Sequence, residues 1–362
     1  MSTRDLHSLG QRLWLDNINR DLLDSGTLER YAKEYSIAGL TSNPSIFDAA
    51  IAGTSAYDAE IRTGSAAGVS SEAIFYQIAL ADLGRAADLF RPLFDASDGL
   101  EGWVSMEISP LFANDAKGSS EAARQLHLLA NRPNLLVKIP GTPAGINAIE
   151  TSIHAGIPVN VTLLFSLSHY QATAGAYLRA LERRLAAGLD LRVASVASIF
   201  ISRWDVAAAE LLPPELRGQL GITVGRRIYA AYRELLASAR WRRLANAGAR
   251  PQRLLWASTG NKDPDTSPTR YVDALVASET INTVPEKTLL ALAQDKHVVT
   301  AMSEEGYQTD DCLGKFKLAG VNIDLLAQQL QHDGVEIFVK SWDSLLRRIA
   351  GKSAKHTDTR NT

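Results

Sequence analysis

Asn134-Leu135-Leu136-Val137-Lys138-Ile139-Pro140-Gly141-Thr142 combines a short apolar run, one lysine and a turn. Leu135–Val137 is the kind of run that forms a strand buried on both faces. Pro140 and Gly141 end it, since proline lacks a ladder N–H and glycine favours turns. Lys138 therefore falls near the C-terminal end of a buried strand. A lysine there can simply extend its ammonium to solvent. If it stays buried, lost hydration favours the neutral amine, the form a nucleophile toward a carbonyl needs. Which reading holds depends on the other strand ends.

Outward from this strand, short apolar segments alternate with helical patterns almost to the end of the chain. Leu13–Ile18 reads as the first strand, with Asp16 at its outgoing end. Helical spacing over Thr27–Tyr35 leads to a second strand, Ile37–Leu40. Asn43 then caps a helix that Pro44 opens. Ser71–Ala96 is strongly helical. Gly102–Ile108 is the third strand and carries Glu107, and Glu121–Leu129 is an amphipathic helix before the lysine strand. Pro143–His154 reads as a helix. Ile157–Leu164 is a strand with Asn160 and Thr162, and Ser168–Ala187 is a long helix. A strand within Leu191–Ile201 ends near Ser198, with Arg203 just beyond. A helix over Arg226–Ala239 precedes the strand Arg253–Ala257 and a loop with Ser258, Gly260 and Lys262. Thr280–Thr283 is the last strand, and Glu286 opens a helix.

Alternation of this kind predicts a parallel sheet with crossover helices. The fold expected is an α/β (β/α)8 TIM barrel with additional helices, whose site lies at the C-terminal strand ends. An open doubly wound sheet is the alternative, but no Gly-x-Gly-x-x-Gly turn follows the first strand. Residues 1–350 are expected to form one barrel domain with C-terminal helices. The polar stretch 351–362 is expected to be a disordered tail.

Composition narrows the function. The chain has 362 residues, 46% hydrophobic, enough for a large core. A formal net charge of −2 without like-charge blocks argues against nucleic acid or an anionic membrane as the partner. Cys312 is the only cysteine, which excludes an intrachain disulfide and fits a reducing compartment. The N-terminus has no apolar signal segment and no run long enough to span a bilayer, so a cytoplasmic protein is expected. The seven histidines form no metal-binding spacing, so no metal is expected. Neither a Walker loop nor a Gly-x-Ser-x-Gly elbow is present.

Asp16, Asn43, Glu107, Lys138, Asn160, Thr162, Ser198 and Ser258 all follow apolar runs, so a barrel would gather them in one mouth. Lys138 is the candidate nucleophile, with Glu107 and Asp16 as general acid–base groups for carbinolamine loss and carbon–carbon cleavage. Thr162 is the candidate to hold a water for that transfer. Asn43 and Asn160 suit substrate hydroxyls. Arg203, Ser258 and Lys262 suit a phosphate monoester.

The same residues carry a resemblance. Thr41-Ser42-Asn43-Pro44-Ser45, Val137-Lys138-Ile139-Pro140, Asn160-Val161-Thr162-Leu163-Leu164-Phe165-Ser166 and Ser198-Ile199-Phe200-Ile201-Ser202-Arg203 resemble the signature segments of the transaldolases. Leu255-Trp256-Ala257-Ser258-Thr259-Gly260 is similar to the version in a longer bacterial subgroup. The resemblance runs from about Leu13 to about Glu286. It implies a class I, Schiff-base-forming enzyme of the pentose phosphate pathway that needs no cofactor and exists as a monomer or homodimer. The implied reaction moves a dihydroxyacetone unit from sedoheptulose 7-phosphate or fructose 6-phosphate to glyceraldehyde 3-phosphate or erythrose 4-phosphate. The matching segments add Thr41 and Phe200 to the substrate contacts. One departure is Gly260, where many members have an arginine; Lys262 is expected to take over its phosphate contact. The alternatives are a Schiff-base fructose-6-phosphate aldolase that releases free dihydroxyacetone, and a barrel that binds sugar phosphates without turnover.

Overall fold

Eight short strands of five or six residues each pair with the strands before and after them in sequence, and the last pairs with the first. In the computed structural model they are β1 (Gln11–Leu15), β2 (Ile37–Thr41), β3 (Trp103–Glu107), β4 (Leu135–Pro140), β5 (Val159–Leu164), β6 (Ser195–Phe200), β7 (Arg253–Ala257) and β8 (Thr280–Val284). All pairings are parallel, and β8 closes on β1 to give a barrel. Helices connect the strands, as parallel pairing requires. The structure describes residues 3–261, 263, 265–294, 300–302 and 309–354, and every statement below concerns these. The expected (β/α)8 barrel with additional helices is what the chain forms.

Local chemistry explains where elements begin and end. The first strand lies earlier than the apolar pattern suggests, at Gln11–Leu15 rather than Leu13–Ile18. Asn19 is the reason: its side chain accepts a bond from Leu22 N at 2.8 Å and starts a helix at Arg20, turning the chain off the barrel before Ile18 can pair. Asp16 still donates its N–H to Val284 O at 2.8 Å, so it sits at the rim of the ladder. Asp115 likewise starts the helix Ala116–Ala130 five residues before Glu121 by accepting from Gly118 N.

Inside the barrel, Trp14 lies one layer below Asp16 on the same face of β1 and is fully buried. It packs against Gly39 of β2. A Cβ at position 39 would stand 2.4 Å from Trp103 O and 2.9 Å from the Trp14 ring, so only glycine fits. This layer is the floor of the mouth.

The long helix Ile323–Ala354 folds back over the barrel's outer helices and reaches the end of β5. Trp342 anchors it, fully buried and edge-on to Phe75 with ring centroids 5.2 Å apart. Burial of such a ring contributes roughly 1.5–3 kcal/mol or more. Around it, Arg348 and Ser344 bond Asp48, and Lys352 bonds Asp58 and Thr54 O. The helix continues through Ala354, so the first four residues of the expected tail are helical; 355–362 lie outside the described residues. No described helix is long and apolar enough to cross a membrane.

Candidate active site

Parallel register places three polar side chains on one rung. Glu107 of β3 is opposite Lys138 of β4, and Lys138 is opposite Asn160 of β5. Because strand side chains alternate faces, residues in register share a face. Lys138 is buried, and its Nζ donates to Ser42 O at 3.0 Å and lies 3.5 Å from Glu107 Oε2. The Ser42 carbonyl is available because Asn43 leaves β2 to cap the helix Pro44–Gly53.

Both nearby carboxyl groups hold their protons more tightly than ordinary ones. Burial raises Glu107, opposed by the Lys138 charge and reinforced by Asp16. Burial also raises Asp16, opposed by the Thr41 hydroxyl bond at 2.7 Å and by Lys138. An amine whose charge reaches two carboxyls raised in this way is an arrangement suited to proton transfer.

One cavity at the C-terminal end of the barrel is lined by Asp16, Thr41, Asn43, Lys138, Asn160 and Thr162. Ser198, Phe200, Arg203 and Ser258 line it too. Ten of the residues singled out from sequence thus line one cavity. Glu107 does not line that cavity; it meets Lys138 from the paired position on β3, 3.5 Å from its Nζ. The Thr162 hydroxyl is buried and has no hydrogen-bond partner among the described residues. Asn160 is fixed by neighbours, donating to Ser105 Oγ at 3.2 Å and accepting from Ser198 Oγ at 2.6 Å. Asn43 spends its oxygen on the helix cap at Ile46 N, leaving the amide nitrogen for a ligand hydroxyl.

Arg203 opens the helix Ser202–Ala208 after β6, with its guanidinium carbon 5.3 Å over the Phe200 ring. Burial lowers its pKa from the ordinary value, and it makes no ion pair with a described residue. Ser258 has φ of +55° and shares a 2.9 Å bond with Ser202 at this end of the cavity. At Gly260 a Cβ would be 3.0 Å from Pro285 Cγ, a tight approach that a larger side chain could take only with a small shift of that ring. Lys262, expected to replace it, lies outside the described residues.

Two contributors were not legible in the sequence. Ile337 and Phe338 of the C-terminal helix supply an apolar side of the cavity. Helical periodicity marks them only as apolar, and long-range packing alone decides what they face.

The fold and the lysine-centred cavity at the strand C-termini define the class, a (β/α)8-barrel enzyme. A family model described as transaldolase/fructose-6-phosphate aldolase matches residues 13–349, and the chain belongs to that family. It is 43% identical to a transaldolase of Thermobifida fusca, over 98% of this chain and 99% of the relative. It is also 43% identical to a transaldolase of Thiobacillus denitrificans, over 96% and 99%, and 38% identical to a transaldolase 2 of a Nostoc species, over 96% of each.

Proposed function

We propose that the chain is a transaldolase, transferring a dihydroxyacetone unit between sugar phosphates through a Schiff base on Lys138. The donors are sedoheptulose 7-phosphate or fructose 6-phosphate, and the acceptors are glyceraldehyde 3-phosphate or erythrose 4-phosphate. The observation that carries this reading is the buried Lys138 amine, 3.5 Å from Glu107 and sharing its cavity with Asp16 and Arg203.

Each group has a step. Lys138 attacks the donor C2 carbonyl to form a carbinolamine. Glu107, through a water held by Thr162, protonates the leaving hydroxide, and the imine forms. Asp16 takes the proton of the C4 hydroxyl; the C3–C4 bond breaks, its electron pair flows into the iminium as an enamine, and the aldose leaves. Asn43, Thr41, Asn160 and Ser198 hold the three-carbon unit, with Phe200 against it. An incoming aldose then takes that carbon nucleophile, Asp16 returns the proton, and water hydrolyses the new imine. Arg203 and Ser258, with Lys262, hold the phosphate far from the reacting carbon. The reaction belongs to the non-oxidative pentose phosphate pathway in the cytoplasm, carried out by a monomer or homodimer with no cofactor.

The same chemistry without the acceptor step would release free dihydroxyacetone. Fructose 6-phosphate turnover with and without erythrose 4-phosphate separates the two. A transaldolase is expected to turn over only with acceptor; equal release of dihydroxyacetone without it would overturn the proposal, and so would no turnover at all.

A further inference from the structure

Strand β5 is irregular where it carries Thr162. Its register with β6 breaks between Val161 and Leu164, and Leu163 has φ of +59°. A leucine in the left-handed region is strained and persists only when its surroundings over-determine it. A bulge of this kind re-aims the neighbouring side chain. Here that side chain is Thr162, with its unpartnered hydroxyl on the cavity wall.

The surroundings that hold the bulge come from the far end of the chain. Gln331, on the helix Ile323–Ala354, is buried and donates both amide hydrogens to the barrel. One goes to Leu163 O at 2.9 Å and the other to Gly141 O at 3.0 Å. Those carbonyls belong to the residue after Thr162 and to the turn that ends the Lys138 strand. Two carbonyl acceptors on one atom require an NH2 group, which among uncharged side chains only an amide supplies. Nearly one turn on, Gly334 leaves space for Leu163: a Cβ there would stand 2.8 Å from Leu163 Cδ2.

We propose that Gln331, assisted by Gly334, is a positioning residue that holds the left-handed Leu163 and thereby aims the Thr162 hydroxyl at the reacting centre. The inference rests on the role given to Thr162 above. It makes the C-terminal helix part of the proton-transfer apparatus rather than only a cover.

A double-mutant cycle tests it on the full chain, with Gln331→Leu, Thr162→Val and the pair together, measuring kcat, KM and borohydride trapping by fructose 6-phosphate. Gln331→Leu is expected to lower kcat by between about 10-fold and about 100-fold, as a misplacement of about 1 Å does. KM and the site trapped should stay as in wild type. In the Thr162→Val background the same change should alter kcat by less than about twofold, because the group it positions is gone. Gly334→Ala, which presses on Leu163 without touching the bonds of Gln331, is run through the same cycle and decides the matter if Gln331→Leu does not fold. Losses that multiply with Thr162→Val, or wild-type kcat in the position 331 or 334 variant, would overturn the proposal while leaving Thr162 in its role. A Thr162→Val enzyme as fast as wild type would remove that role and the proposal with it.

Discussion

Lys138 Nζ stands 3.5 Å from Glu107 Oε2, across paired rungs of adjacent parallel strands, and each side chain is less than a tenth exposed. The pair is held apart at ion-pair rather than hydrogen-bond distance, while the amine bonds the Ser42 carbonyl instead. Neither Glu107 carboxyl oxygen has a hydrogen-bond partner among the described residues, and the Lys138 amine lines the cavity.

Lys138→Ala should abolish both turnover and borohydride trapping by fructose 6-phosphate. It is the only lysine among the described residues that line the cavity. Mapping of the trapped peptide in wild type checks the assignment. Stable trapping on another lysine would count against it.

Glu107→Gln keeps the shape of the side chain and removes proton transfer, so kcat should fall by about 10²–10⁴. Stability should move the other way. Because burial raises the folded carboxyl above the ordinary glutamate value of 4.5, the folded chain retains a proton that the unfolded chain has released. That contribution is fully present below pH 4.5 and is lost as pH rises through the folded value. The glutamine variant should therefore melt above wild type near neutral pH, with the gap closing as pH falls toward 4.5. Thermal unfolding over that range reads the sign. A variant that melts lower at neutral pH would show that the Lys138 contact outweighs burial.

Arg203→Ala should weaken phosphorylated substrates and spare others. A charge-assisted hydrogen bond contributes about 1.5–3 kcal/mol, or about 10- to 150-fold in kcat/KM. Activity on unphosphorylated fructose, expected to be much lower from the start, should hardly change, since that substrate lacks the anion. The check is the ratio of the two kcat/KM values in wild type and variant. An unchanged ratio would assign the phosphate to the backbone N–H groups of the Ser258–Asn261 turn.

Chelation should leave activity intact. The electron sink in the proposed reaction is the protonated imine, and no described group of three His, Cys, Asp or Glu side chains is arranged to hold a metal. Activity lost in EDTA and restored by a divalent ion would contradict the Schiff-base route.

Most of the barrel and its mouth can be read from local pattern alone. Leu135–Val137 followed by Lys138, and Val104–Met106 around Glu107, are strands because of short apolar runs, and period two then puts Glu107, Lys138 and Asn160 on one face once the strands are in register. Asn160, Thr162 and Ser198 follow from the same rule, while Asn43 and Arg203 follow from standing just past the strand ends. Local pattern fails first at β1, where the cap at Asn19 outcompetes the apolar Ile18. What tertiary structure alone decided is the part assembled across long separations. Glu107 meets Lys138 without lining the cavity, and the Ser42 carbonyl, not a side chain, takes the lysine bond. Leu163 adopts a conformation no leucine prefers, and Gln331, 168 residues along the chain, holds it there. Such arrangements leave no periodic trace, because they depend on where a distant helix docks, and docking is the sum of many weak contacts such as Trp342 on Phe75.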